Sequence, residues 1–442
     1  MNIRELTLES LKANDLVAAR AHCDEWLRID PKSGQAWHLL GVCHAQGGEL
    51  ADAIRCFSNA TENDPTSSLY PYNLAVAQKL TGDLEKAIAA FRLAIDRRGD
   101  FFESRINLGV SLEEAGRKEE AIECFRAAVD QFPDSADANF NLANMLSEAG
   151  RIDEAACHYR QAIELDPNHS AAHENLGRAF LDAERFDEAK EVWTQWLSED
   201  PSNATAKHML ASISGEAPPP RCDDQCIREA FDERFAENFD RKLARLDYQS
   251  PQLIADVLEK IELPNRKVDV LDCGCGTGLC GPLLRPLASK LVGVDLSKAM
   301  LDQAFKRQLY DQLHECEITQ FMSTHPCSFD VVISADTLCY FGELDEVLRS
   351  ASQCLKPGGV MIFTLESLKP STLKPSTRQS TASADLYQLC PHGRYTHSRE
   401  YVAAAVQGAG LERMKISKVV QRFEIGRPVE GWLVSARQGS GK

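Results

Sequence analysis

The sequence contains no apolar run approaching the roughly 20 residues a membrane-spanning helix requires. Its opening residues, MNIRELTLESLKANDL, carry acids and helical spacing where a secretory signal would have an uninterrupted apolar core. Neither membrane insertion nor export is expected, and the cytoplasm is the expected compartment. Cysteine pairs with zinc-finger spacing are also missing: Cys222 and Cys226 in RCDDQC have no second pair to complete a tetrahedral site. The 15 cysteines are scattered, several at apolar positions such as Cys56 and Cys124, as free thiols in a reducing compartment would be. Positive charge is scarce in the first half: of the net −17, about −15 falls before residue 215. Such a surface repels a phosphate backbone, so no nucleic acid is expected there, while a basic peptide or protein is admitted.

With 442 residues the chain is too long for one core, and two to three domains are expected. The first half is periodic. At a spacing of about 34 residues, Ala19 is followed by Ala53, Ala87, Ala121, Ala155 and Ala189. An aromatic comes four residues after each of the last five: Phe57, Phe91, Phe125, Tyr159 and Trp193. Leu40, Leu74, Leu108, Leu142 and Leu176 recur in phase, each followed by glycine or alanine, and Pro31, Pro65, Pro133, Pro167 and Pro201 punctuate the series, with Gly99 standing in once. Small residues let two short helices approach, leucines and aromatics fill the gap, and proline ends the second helix. This spacing resembles the tetratricopeptide repeat family, with five clear units, a degenerate first one and a capping helix in AKHMLASIS. The resemblance implies an α-solenoid whose concave face binds a protein or peptide partner; self-association is the other use of such an array, and the oligomeric state is left open. Asn73, Asn107, Asn141 and Asn175, one per repeat, could grip a bound backbone or serve as caps and interhelix bonds.

GEAPPPRCDD reads as a linker, because three successive prolines continue neither helix nor sheet. The expected division is therefore 1–214 for the array and its cap, 215–224 for the linker and 225–442 for a second domain. There strands alternate with helices: KVDVLD, KLVGVD, a weak strand around Cys316 to Ile318, FDVVISAD and VMIFTLE, then two late strands near LERMKISKVV and GWLVSAR. Alternation predicts a doubly wound α/β sheet with ligands beyond the carboxyl ends of the strands.

At one such end stands DCGCGTGLCG, Asp272 to Gly281. Its cysteines lack metal-site spacing. The subset Gly276-Thr-Gly278-Leu-Cys-Gly281 formally satisfies the dinucleotide pattern, but an acid closes the strand before the first glycine, and a carboxylate there repels a pyrophosphate. It favours a cofactor whose near end carries an ammonium and a sulfonium. VLDCGCGTG resembles motif I of the class I, small-molecule-type methyltransferases that use S-adenosyl-L-methionine, and VGVDLSKAML and LKPGG follow in the family's order.

The resemblance implies a Rossmann-like, seven-stranded methyltransferase domain. It also implies that Gly274, Gly276 and Gly278 admit the methionine part of S-adenosylmethionine to the backbone, that Asp272 organises its amino group, and that Asp295 and Leu296 hold the ribose. Glu317 stands where the family usually has Asp beside the adenine amino group, with Ile318 packing nearby. FDERFAENFD sits where many members carry a lid, and Phe231, Phe235 and Phe239 are read as one helix face that either covers the cofactor or packs on the sheet.

Methyl transfer is an in-line displacement at an activated sulfonium, so such an enzyme aligns its acceptor and, where needed, removes a proton. In SADTLCYFG, Asp336 and Tyr340 are the candidates nearest the methyl, although Asp336 could instead cap the following turn. No Asn-Pro-Pro-Tyr or Asp-Pro-Pro-Tyr is present, which argues against amide or base nitrogens as acceptors. After the fifth strand, LKPSTLKPST precedes LCPHGRYTHSREYV, where Arg394 and Tyr395 are candidate acceptor contacts and His397 a candidate base; His397 and Ser398 could also simply begin a helix. The acceptor is expected to be a small molecule or, alternatively, a protein presented by the array. A scaffold with a decayed site is a third reading.

Overall fold

The computed structural model describes residues 2–215, 218–263, 265, 267–368, 386–424 and 426–439. The chain divides into two compact units, Met1–Arg185 and Phe186–Lys442.

The first unit runs through α1 (Ile3–Lys12), α2 (Leu16–Ile29), α3 (Gly34–Gln46), α4 (Leu50–Asn63), α5 (Leu69–Leu80), α6 (Leu84–Arg97), α7 (Phe102–Glu114), α8 (Lys118–Gln131), α9 (Ala136–Glu148), α10 (Ile152–Leu165) and α11 (Ser170–Asp182). Successive helices pack as hairpins, α1 on α2 through α9 on α10. The periodic alanines explain the fit: Ala19, Ala53, Ala87, Ala121 and Ala155 have no exposed surface. A Cβ on Gly41 would stand 2.6 Å from Phe57, and one on Gly109 2.5 Å from Phe125, so the aromatic of the second helix occupies the space the small residue leaves. The turn of the first hairpin closes on Asn14 and those of the next four on glycine, Gly48, Gly82, Gly116 and Gly150, all with positive φ.

The recurrent asparagines are engaged within the array. Asn107 and Asn141 donate to the carbonyls four residues back, Glu103 and Asp137, both at 2.8 Å. Asn73 lies 2.6 Å from His38 Nε2, and Asn175 donates to Asn144 Oδ1 at 2.9 Å.

The second unit begins with α12 (Phe186–Glu199) and α13 (Ala204–Ser214), so these helices of the expected array belong to the same unit as the sheet. The linker is pinned to it: Pro219 O accepts from Tyr395 Oη at 2.7 Å, Pro220 O from the Gly342 amide at 2.8 Å, and the Cys222 amide donates to Tyr340 O at 2.8 Å. Then come α14 (Asp224–Ala230), α15 (Glu233–Arg245) and α16 (Ser250–Leu258).

The sheet follows as β1 (Val268–Cys273), α17 (Gly281–Leu284), β2 (Ala288–Asp295), α18 (Lys298–Lys306), β3 (Gln312–Glu315), α19 (Ile318–Ser323), β4 (Phe329–Ser334), α20 (Asp345–Cys354) and β5 (Leu355–Ser367). A hairpin, β6 (Tyr387–Leu389) and β7 (Tyr395–His397), precedes α21 (Arg399–Gly408), β8 (Leu411–Glu424) and β9 (Arg427–Gln438). Strands β3-β2-β1-β4-β5 are parallel; β9 lies antiparallel on β5, and β8 antiparallel on β9. These are the seven expected strands. The β6–β7 hairpin is an addition, continuing the sheet where β5 outruns β4, with Glu366 opposite Thr396 and Ser367 opposite His397. β3 pairs with β2 through Gln312–Glu315, so the strand expected around Cys316 to Ile318 ends just before those residues, and Ile318 starts α19.

Runs of valine, leucine and isoleucine in β1, β4 and β5 are buried on both faces, as a parallel sheet demands. One face packs on α19, α20 and α21, the other on α16 and α17.

Candidate functional site

Where β1, β2 and β4 end, the chain leaves a cavity of about 260 Å³. The strand order turns there, β1 sending its chain toward β2 and β4 lying on its other side, which opens a crevice for ligands.

The floor is the glycine loop. The amides of Gly274 and Cys275 both donate to Val294 O, at 2.8 and 3.1 Å, and Gly276 N donates to Asp295 Oδ2 at 2.9 Å. Asp295 Oδ1 accepts from Ser297 N at 2.9 Å, so this carboxylate ties the loop to the start of α18. Gly274 and Gly276 have φ of +70 and +54. A Cβ on Gly274 would meet Thr337 Oγ1 at 2.1 Å, whereas one on Gly276 would find only Phe239, at 3.9 Å. Gly274 thus admits the β4 loop, and Gly276 leaves open space above the backbone. Gly278, expected beside a ligand, is not among the lining residues; its missing side chain makes room for Tyr310 and Ala304.

Four acids reach this end. Asp272, 1% exposed, accepts from Tyr310 Oη at 2.7 Å. Burial, with some help from Asp295, pushes its carboxyl up to about 7. Burial also raises Asp295, against the pull of the amides it accepts from. Glu317 caps α19 by accepting from Gln320 N at 2.8 Å, while its Oε1 is buried with no hydrogen-bond partner. Leu296 and Ile318 line the cavity beside these groups. The fourth acid, Asp336, has φ +57, unusual for a residue with a side chain. The cysteines act as packing: Cys273, Cys275 and Cys280 are buried, and burial raises their thiols well above the ordinary value.

The roof is aromatic. Phe231 lies just before α15 and Phe235 and Phe239 lie on it; all three line the cavity. The helix is fastened across the glycine loop: Asp240 accepts from Thr277 Oγ1 at 2.5 Å and also pairs with Arg307. Ser297 Oγ donates to Phe231 O at 2.6 Å. Of the two readings of this helix, the geometry fits a cover.

Residues 271–363 match the family described as methyltransferase domain. Residues 10–75, 72–101, 106–170 and 146–213 match families described as tetratricopeptide repeat. The chain joins tetratricopeptide repeats to a methyltransferase domain. It is 34% identical over 137 residues to methyltransferase-like protein 27 of Homo sapiens, covering 30% of this chain and 56% of that protein. It is 30% identical over 190 residues to the biotin biosynthesis bifunctional protein BioHC of Saccharophagus degradans, covering 40% and 33%. With malonyl-(acyl-carrier protein) O-methyltransferase of Enterobacter lignolyticus it shares 28% over 190 residues, covering 43% and 70%. The chain thus spans a third to just over half the length of the first two of these relatives.

Within the methyltransferase domain, the far wall of the cavity departs from sequence expectation. Asp336, Tyr340 and Arg394 do line it. Tyr395 does not: its ring is fully buried and its hydroxyl donates to Pro219 O. His397 is also misplaced as a base. It is fully buried, its Nε2 lies 3.2 Å from Gly342 O, and its ring stacks on Tyr401. Burial drives it down to about 4, so it is neutral near pH 7. As the second-last residue before α21, with Ser398 as the cap, it follows the simpler reading of the sequence. Arg394, a candidate acceptor contact, is paired with Glu366 at 3.0 Å and Glu424 at 2.6 Å. After its first residue, Leu368, the LKPSTLKPST repeat lies outside the described residues.

Tyr248, Leu246, Arg422 and Glu424 also line this wall, unanticipated from the sequence. The end of β8 returns to the cavity because Phe423 N donates to Leu246 O at 2.7 Å and Gln249 N to Gln421 O at 2.8 Å. One signal was available: Arg422 and Glu424 are two apart on a strand, hence on one face.

Proposed function

We propose that the methyltransferase domain binds S-adenosyl-L-methionine in this crevice and transfers its methyl group to a small molecule, while the repeats recruit a protein or peptide partner or a second copy of the chain. The observation that carries the reading is the buried, unpartnered Glu317 Oε1 in a cavity also lined by Asp272 and Asp295. An amino-bearing base would supply the missing donor to Glu317. The ribose hydroxyls would meet Asp295, and the ammonium would lie toward Asp272, where a cation stabilises the ionised carboxylate. Open space above Gly276 leaves the backbone accessible.

The bound group would supply a methyl already activated on sulfur. The chain's own residues hold it, exclude water beneath Phe235 and Phe239, and align an acceptor from the side of Asp336 and Tyr340. A cavity roofed by α15 suits a small acceptor better than a polypeptide. Incubating the full-length chain with methyl-labelled S-adenosylmethionine and cell extract, then separating protein from metabolites, tests this. Label in the metabolite fraction is expected. Label confined to protein would turn the reading toward a protein acceptor, and no transfer together with no cofactor binding would leave an interaction protein.

A further inference from the structure

The wall opposite the glycine loop is a closed ion cluster. Arg422, 1% exposed, directs Nη1 to both oxygens of Asp336 at 3.1 and 2.8 Å, Nη2 to Glu366, and Nε to Glu424 at 2.8 Å. Arg394 pairs with Glu366 and Glu424, and His392 Nε2 lies 3.6 Å from Glu366. Two guanidiniums therefore face three carboxylates. Of these groups Asp336, Glu424, Arg394 and Arg422 reach the cavity, among Leu243, Leu246, Tyr248 and Tyr340.

Resting on the proposed use of S-adenosylmethionine, we infer that the acceptor is a neutral molecule with an apolar body that presents a hydroxyl to Asp336. A carboxylate or phosphate would meet guanidiniums already paired with three carboxylates, and those carboxylates would repel it. An ammonium would enter beside a sulfonium, and the three carboxylates that could offset it are already shared with Arg394 and Arg422. A hydroxyl suffers neither penalty and donates to an Asp336 oxygen that Arg422 holds in place. Asp336 is itself held at its unusual backbone angle by this pairing and by its amide, which donates to Thr364 Oγ1 at 2.9 Å. In the transfer the hydroxyl oxygen forms a bond to the methyl carbon and the carbon–sulfur bond breaks with its electron pair left on sulfur. The hydroxyl proton passes to the Asp336 carboxylate and then to solvent. The apolar lining holds the body of the acceptor.

The test uses the full-length chain saturated with sinefungin, an unreactive cofactor analogue that carries an ammonium where the cofactor carries its sulfonium, and whose binding is measured first by calorimetry. Absence of that binding would count against the cofactor reading, independently of the acceptor. Three probes with one body and different heads are then titrated: 3-phenylpropan-1-ol, 3-phenylpropylamine and 3-phenylpropanoate. The alcohol should bind roughly ten-fold or more tighter than either charged probe, and Arg394→Gln should narrow the gap to the amine. Tightest binding by the amine or the carboxylate, equal binding, or no binding by the alcohol overturns the inference. Labelled product from extract gives a second readout. An uncharged, base-stable product extracting into organic solvent at any pH supports it. Base-labile label released as methanol, or label extracted only from alkaline solution, contradicts it.

Discussion

His208 on α13 approaches Gly393 O at 2.8 Å through its Nε2, tying the helix that follows the repeats to the turn beside Arg394. Met209 would lie 3.2 Å from a Cβ on Gly393, and Ala211 packs against the core of the sheet. The apparent cap of the array is therefore part of the methyltransferase unit. A fragment of residues 186–442 should fold with a cooperative melting transition, whereas residues 216–442, cut at the proline-rich seam, should be unfolded or aggregate. Circular dichroism with thermal melting distinguishes the two. In the full chain His208→Ala should lower stability by about 1–3 kcal/mol, the cost of a buried carbonyl left without its donor.

The two glycines of the loop after β1, Gly274 and Gly276, should respond differently to alanine. Gly274→Ala adds a clash with Thr337 to a left-handed backbone, so it should destabilise the unliganded protein by about 2–4 kcal/mol. Gly276→Ala meets only Phe239, so its stability loss should stay near the conformational penalty of about 1–2 kcal/mol, while cofactor affinity falls ten-fold or more. Chemical denaturation and calorimetry, read together, separate these effects.

Affinity for S-adenosylmethionine should depend on Asp272 ionisation. Its carboxyl is pushed up to about 7 in the unliganded protein, and the ionised form attracts the cationic end of the cofactor. Binding should therefore strengthen as pH rises from about 5.5 to 8 and level off above. Asp272→Asn should bind more weakly at pH 8 and lose this rise. Dissociation constants at several pH values, wild type against variant, check the sign.

His397 is expected to affect stability rather than proton transfer. Its pKa falls from an ordinary value near 6.5 to about 4 on burial. The unfolded chain takes up a proton between these values that the folded chain refuses, so stability present above pH 6.5 is lost as pH falls toward 4. His397→Gln should reduce that loss while leaving the pH profile of methyl transfer unchanged. Melting curves at pH 7 and 5, with turnover over the same range, test both halves of the statement.

What was legible in the sequence follows from how local the signals are. The repeats could be read because Ala53, Phe57 and their periodic equivalents each report one helix–helix contact. The glycine loop could be read because Gly274 and Gly276, both with positive φ, follow Asp272 at the strand's end within a few residues. Arg422, Glu424 and Tyr248 could not, since a long β8 and a loop after α15 bring them to the cavity across more than 80 residues of chain from Asp336. His397 and Tyr395 misled because titratable residues clustered in sequence, while alternation along β7 and the neighbouring hairpin turned them into the interior. The seam after Gly215 looked like a boundary for its prolines, yet Pro219 and Pro220 accept through their carbonyls from Tyr395 on β7 and from the Gly342 amide.

The central claim is that the crevice above Asp272, Asp295 and Glu317 holds S-adenosylmethionine. Isothermal titration calorimetry of the full-length chain with this cofactor tests it most directly, alongside Asp295→Ala and Glu317→Gln. The account predicts one site per chain, strongly weakened by the first substitution and weakened by the second. No heat of binding at millimolar cofactor, or binding indifferent to both substitutions, would contradict it.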